Sequence, residues 1–229
     1  MNVVWRPTPN YRPGREGRPV TAIVDHVMAG GEVGPDAPPT GSALRSVHFS
    51  VLRDGAIHQY VEEADTAWHI SAVERSRHPI PWLETPGSDV CATVNLSTIG
   101  IEHEGHPGEA LTPAQFRSTV ALHRHLLDRW AIPLDRDHIL AHDRLTRRHG
   151  AGCPGPGFPW DGLFSALREY QFMDQERIRS ALDSVLSVSA ALSLLQSPYA
   201  EHLKGAVRAI REPAGRALNC RFSKSWPPF

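Results

Sequence analysis

Residues 98–105, TIGIEHEG, decide the architecture. Ile99 and Ile101 fall on one side of an extended chain and Glu102 and Glu104 on the other, the two-residue period of a β-strand. Gly100 between them is a place where another group can come close to the backbone. The segment therefore reads as a central strand. Upstream, residues 21–27, TAIVDHV, form a short β-branched run that ends near His26. It runs into GGEVGPDAPPTGS (30–42), whose glycines and prolines specify a loop bordering the strand end. SVHFSVLRDGAIHQYV (46–61) alternates apolar residues on both sides of Asp54-Gly55, which predicts two antiparallel strands joined by a tight turn.

Helices are expected between and after these strands. Thr112 before Pro113 is a capping residue ahead of a proline at the first helical position, and the helix should run to about Trp130, with Phe116, Val120, Leu127 and Trp130 on its buried stripe. Ile132-Pro133 ends it. DRDHILAH (135–142) supplies another short strand or turn leading into His142, and FPWDGLFSALREY (158–170) restarts a helix. Residues 1–20, rich in proline, arginine and glycine, read as an irregular arm. The stretch from Ile70 to Asn95, with Pro79, Pro81, Pro86 and Gly87, reads as a substrate-facing excursion. Residues 1–170 thus form an α/β domain. From Asp174 the pattern becomes helical, with Ile178, Leu182, Val185, Leu192 and Leu195 spaced as a stripe; Ser197-Pro198 breaks it before a second helix from about Tyr199 to Arg211. Residues 171–229 are therefore expected to be an appended C-terminal helical hairpin, a candidate surface for homo-oligomers.

Composition narrows the partners. With 229 residues and a net charge of −1, the chain has no global field to attract nucleic acid or an anionic membrane. No apolar run is long enough to span a bilayer, and the N-terminus lacks the pattern of a secretory signal, so synthesis is expected to end in the cytoplasm. Three cysteines, Cys91, Cys153 and Cys220, argue against a disulfide scaffold.

The chemistry gathers around His142 and Cys153, eleven residues apart in the glycine-rich stretch AHDRLTRRHGAGCPGPG. Singly, Cys153 would be a small buried apolar residue and His26 a satisfied core histidine. Together, His26, His142 and Cys153 offer two imidazoles and a thiolate, a zinc set that leaves the fourth tetrahedral position open, as catalytic sites do. This points to hydrolysis.

From about Pro9 to Leu167 the chain resembles the zinc-dependent N-acetylmuramoyl-L-alanine amidases of the type-2 amidase and peptidoglycan-recognition superfamily, which includes phage endolysins. The matching signals come in the family's order: IVDHVMAG; VHFSVLRDG; Ala-Trp-His at Ala67 to His69; IGIEHEG; TPAQF; AHDRL with CPGPGF. The resemblance implies a central mixed sheet flanked by helices, zinc (Zn2+) held by His26, His142 and Cys153, and Glu102 as the acidic residue that moves the proton. It implies cleavage of the amide between N-acetylmuramic acid and L-alanine, with peptidoglycan as the partner. Two polar helpers of the family, a lysine two residues before the last ligand and a tyrosine before the hairpin His-Phe, are replaced by Ala151 and Val47. Arg147, Arg148 or His149 is the expected substitute, and His149 is assigned as the oxyanion's partner. His48 and His69 stand as second-layer or substrate-wall residues or plain packing, and Trp68 as core or substrate stacking. His103, His106, His123, His125 and His138 read as surface or helix residues.

Three functional readings follow. The first is a bacteriolytic, endolysin-like enzyme that degrades cell walls after holin-type release. From His202 onward, six Lys or Arg side chains face one acid, Glu212, and would tether it to anionic wall polymers. A second is a cytosolic amidase trimming soluble anhydro-muropeptides during wall recycling. The third is a peptidoglycan-binding protein without catalysis, in which a zinc ligand is typically replaced.

Overall fold

A computed structural model describes residues 1–30, 45–71, 73, 80–83, 90–145 and 152–193. The chain divides into two compact units, Met1–Arg168 and Glu169–Phe229. Its elements are β1 (Val3–Trp5), β2 (Tyr11–Arg12), β3 (Ala22–Val27), β4 (Phe49–Val51), β5 (Ile57–Gln59), β6 (Thr66–Ala67), α1 (Val90–Ser97), β7 (Thr98–His103), α2 (Pro113–Trp130), β8 (Ile139–Ala141), a short 3-10 turn (His142–Arg144) and α3 (Trp160–Ser193).

The described residues form a six-stranded sheet in the order β1-β5-β4-β7-β3-β8, with β2 and β6 as a separate antiparallel pair. Strands β4, β7, β3 and β8 run parallel. Strand β5 is antiparallel to β4, and β1 is parallel to β5. The sheet is mixed, as expected. Parallel strands in its middle are covered on both faces, so residues of β3 and β7 on both sides of the sheet are buried, polar ones such as Asp25, His26, Thr98 and His103 included. On one face Ile23, Phe49, Val51, Ile99, Ile101 and Ile139 meet Leu122 and Leu126 of α2 and Leu163, Phe164 and Leu167 of α3. On the other, Val24 and Leu140 meet Ile70, Ile80, Leu145 and Val94 of α1. Each fully buried side chain of this kind stabilises by about 1.5–3 kcal/mol.

Local signals in the sequence hold well. Asp54-Gly55 turns the β4–β5 hairpin, with Gly55 at φ +88°, where a side chain would be strained. Helix α2 spans Pro113–Trp130 and opens on a reciprocal capping box between Thr112 and Gln115. Gln115 does more than cap: its buried amide donates to the carbonyls of Val51 and Glu104, tying α2 to the ends of β4 and β7.

Three expectations are corrected in whole or in part. Residues 1–20 are not an irregular arm throughout: β1 pairs with the sheet edge, where the prolines that follow at positions 7 and 9 interrupt no ladder on a far side. The excursion from Ile70 to Asn95 contributes core, since Ile70, Ile80 and Val94 are buried and α1 begins within it. The buried positions of α2 are Gln115, Thr119, Leu122, His123, Leu126 and Leu127, with hydrogen bonds satisfying the polar members; of the expected stripe Leu127 is buried, while Phe116, Val120 and Trp130 pack on the core only part-buried. Helix α3 runs unbroken from Trp160 to Ser193, and the division between the two units, Arg168/Glu169, lies two residues from the boundary expected at 170/171. The second helix expected from Tyr199 lies outside the described residues. Among the described residues, no helix is long and apolar enough to cross a membrane.

Candidate active site

The carboxyl ends of the parallel strands converge on one cluster. His26 is the last residue but one of β3, Glu102 occupies the same place in β7, and the two are register partners on the same side of the sheet. His142 follows β8 directly and opens the 3-10 turn. Cys153 arrives on the following loop, where its carbonyl accepts from the Asp143 amide and its Sγ accepts from the Val27 amide at 3.3 Å. Ligand atoms of His26, His142 and Cys153 lie within 4.8 Å of one another, and the two rings are 4.4 Å apart. Donors around a tetrahedral zinc stand roughly 3.3–3.8 Å apart, from metal–ligand bonds of about 2.0–2.3 Å. The set closes on an ion through side-chain movements of about an ångström. Two imidazoles and a thiol are also the donor types zinc prefers.

The electrostatics ask for a cation. Burial pushes the Cys153 thiol up to about 12, with the neighbouring Glu102 adding to the effect. Burial likewise pushes Glu102 up to about 8, against the opposing pull of Arg45. Its Oε2 is sealed from solvent without a hydrogen-bond partner. Glu104, the neighbouring carboxylate, is engaged: its Oε2 accepts from the Arg53 amide.

Behind His26 lies a layer of histidines. The His69 ring lies against Gly100, where a β-carbon would meet it at 2.5 Å, so the strand glycine is explained by this ring. His69 Nδ1 is 3.1 Å from His26 Nε2. His48 is fully buried; its Nδ1 accepts from the Gly100 amide, its Nε2 donates to the Asp65 carbonyl, and Arg15 stands 2.9 Å away. It is a structural residue that faces no substrate. Burial first, and then the Arg15 charge, bring its pKa down to about 3. Arg15 itself donates to the carbonyls of Leu96 and Thr98, covering the carboxyl end of α1.

Two histidines read as surface or helix residues prove buried. His103 and His123 flank the buried Asp25 on the opposite face of β3, with His123 Nε2 3.2 Å from Asp25 Oδ2. Their signal was present in register: His123 falls on the stripe of Gln115 and Thr119, and His103 alternates with Glu102. His149, Arg147, Arg148 and Ala151 lie outside the described residues. Val47, where the family tyrosine was expected, is a core residue packed with Tyr60, Val61 and Ala67.

Residues 16–156 match the Amidase_2 family of N-acetylmuramoyl-L-alanine amidases, a stretch that contains His26, Glu102, His142 and Cys153. The chain belongs to this family. As an Amidase_2 member it is similar to the 1,6-anhydro-N-acetylmuramyl-L-alanine amidase AmpD of Salmonella typhimurium, with 31% identity over 152 residues, 65% of this chain and 71% of that protein. N-acetylmuramoyl-L-alanine amidase A of Achromobacter lyticus is 24% identical over 184 residues, covering 72% of this chain and 92% of its own. Among solved structures, a selenomethionine AmpD derivative superposes with a TM-score of 0.54 at 26% identity, over 72% of this chain and 93% of that one. The amidase LysC of Clostridium intestinale shares the fold, with a TM-score of 0.50 at 20% identity over 73% and 98% of the two chains. The Amidase_2 chain described here is an amidase.

Proposed function

We propose that this amidase is a zinc enzyme that hydrolyses the bond between the lactyl group of N-acetylmuramic acid and the L-alanine of the stem peptide. The observation that carries the reading is the convergence of His26, His142 and Cys153 within 4.8 Å of one another, with Glu102 in register beside His26. All three candidate ligands are present, which favours catalysis over a binding-only role. Bound there, zinc would supply a Lewis acid that polarises the scissile carbonyl and makes water more acidic. Glu102 takes the proton of the attacking water as the new C–O bond forms, and returns it to the alanine nitrogen as the C–N bond breaks. Burial raises the pKa of Glu102 and so strengthens it as the base toward the attacking water, while the positive charge of a bound zinc would favour its ionised form. His149, four residues before Cys153 in the sequence, is proposed as the positive partner of the developing oxyanion.

Two substrate forms remain in view. Wall polymer suits an endolysin-like role, with residues 171–229 as a wall-binding or oligomerising appendage. Similarity to AmpD supports a soluble anhydro-muropeptide instead.

The test is zinc analysis of the purified protein, followed by assays on isolated cell walls and on a soluble anhydro-muropeptide, each with and without chelator. Stoichiometric zinc and release of new alanine amino groups are expected, both lost on chelation and restored by zinc. Full zinc content and full activity in Cys153→Ser or His142→Ala would overturn the ligand assignment. Clearing of walls assigns lysis; turnover confined to the fragment assigns recycling.

A further inference from the structure

Three polar groups behind His26 form a chain whose hydrogens can be placed. Thr98 Oγ1 lies 2.8 Å from the Val94 carbonyl and 3.0 Å from His69 Nε2. A carbonyl only accepts, so the single hydroxyl hydrogen goes to Val94, and Thr98 must accept from His69 Nε2–H. His69 Nδ1 then carries a lone pair. It faces His26 Nε2 at 3.1 Å, which therefore carries the hydrogen.

We infer that His69, fixed by Thr98, is a positioning residue that locks His26 into its Nε2–H tautomer and so presents Nδ1 as the metal-binding nitrogen. The inference rests on the reading of His26 as a zinc ligand. If instead His69 donated to His26, the other nitrogen of a neutral His26 would bear the hydrogen and could not bind an ion. Three further features hold the ring in place. Asn95 Oδ1 accepts from the backbone amides of His69 and Ile70, and its Nδ2 donates to the Ile70 carbonyl, clamping the segment from α1. Gly100 has no side chain where the ring lies, at 2.5–2.8 Å from a would-be β-carbon. Thr98 and Gly100 alternate with Glu102 on one strand, so a single strand face carries the general base, the space for the ring and the residue that sets its tautomer. An outer partner that orients a ligating imidazole is usually a carboxylate or carbonyl; here an imidazole takes that part.

The experiment combines two measurements on the full chain. Histidine ring 15N spectra of the metal-free protein report tautomers directly, and competition with a chromophoric chelator reports zinc affinity. In the wild type, His26 and His69 should both be protonated at Nε2. His69→Ala should lose the fixed tautomer of His26 and bind zinc about 10–100-fold more weakly. His69→Asn, which returns an acceptor at the position of Nδ1, should recover most of that loss. Thr98→Val should mix the tautomers and weaken zinc, whereas Thr98→Ser should match the wild type; this pair decides the matter if His69→Ala fails to fold. Protonation of wild-type His26 at Nδ1, or unchanged zinc affinity in His69→Ala, would overturn the inference. Tautomers as stated in a wild type that retains no zinc would overturn the zinc reading and leave the tautomer assignment standing.

Discussion

Glu102 and Cys153 are both driven toward their neutral forms by burial, to about 8 and about 12, and the carboxylate makes the thiolate harder still to form. Two neighbouring groups that resist ionising together define a place where a divalent cation gains the most, because it stabilises both anions at once. Glu102→Gln separates the roles. The amide keeps the shape and removes the proton acceptor, so zinc affinity should stay within a few-fold while kcat falls by about 10²–10⁴-fold. Removing a buried carboxylate without a partner should also leave thermal stability equal or higher. An active Glu102→Gln enzyme would move the base elsewhere, although Glu104 is a poor substitute because it is held by the Arg53 amide.

At the scale of elements, two adjacent strands set the site: the β3–β7 ladder fixes His26 opposite Glu102 whatever the loops do. Gly100→Ala tests how tightly the layer behind them is packed. A methyl group at 2.5 Å from the His69 ring must displace it, so stability should drop by about 1–3 kcal/mol in urea denaturation, and zinc binding should weaken with it. A neutral outcome would mean that the ring has room to move. Elements encoded locally were legible in the sequence: the Asp54-Gly55 turn, the capped start of α2, and the strands on either side of the sheet's centre. Elements that depend on distant partners were not. His123 is buried because Asp25, 98 positions away, needs a neighbour, and Arg15 is buried because the end of α1 offers it carbonyls. Polar residues of this kind look exposed until their partners are known. The candidate zinc set of His26, His142 and Cys153 was legible because its chemistry is rare in combination, whereas the part proposed for His69 required knowing what stands on either side of its ring.

For the molecule as a whole, buried neutral imidazoles tie stability to pH. His48 holds a folded value of about 3 against an ordinary 6.5, so the unfolded chain takes up a proton below 6.5 that the folded chain refuses. Its contribution is therefore complete above pH 6.5 and is lost as pH falls toward 3, by about 1.4 kcal/mol per pH unit. Urea midpoints should fall across that window, and more gently in His48→Asn, which keeps an acceptor for the Gly100 amide. A parallel fall in both proteins would place the cause elsewhere. The basic tail makes a separate prediction: replacing Lys204, Arg208, Arg211 and Arg216 with glutamine should reduce binding to isolated cell walls at low salt, and the difference should vanish near about 1 M, where screening is nearly complete. The ends of β3, β7 and β8 are held by backbone pairing that owes nothing to an ion. With zinc bound as proposed, such a receptacle would differ from a zinc finger, which collapses when stripped: the protein would be emptied and refilled as a finished vessel, and its availability for work would follow the supply of metal around it.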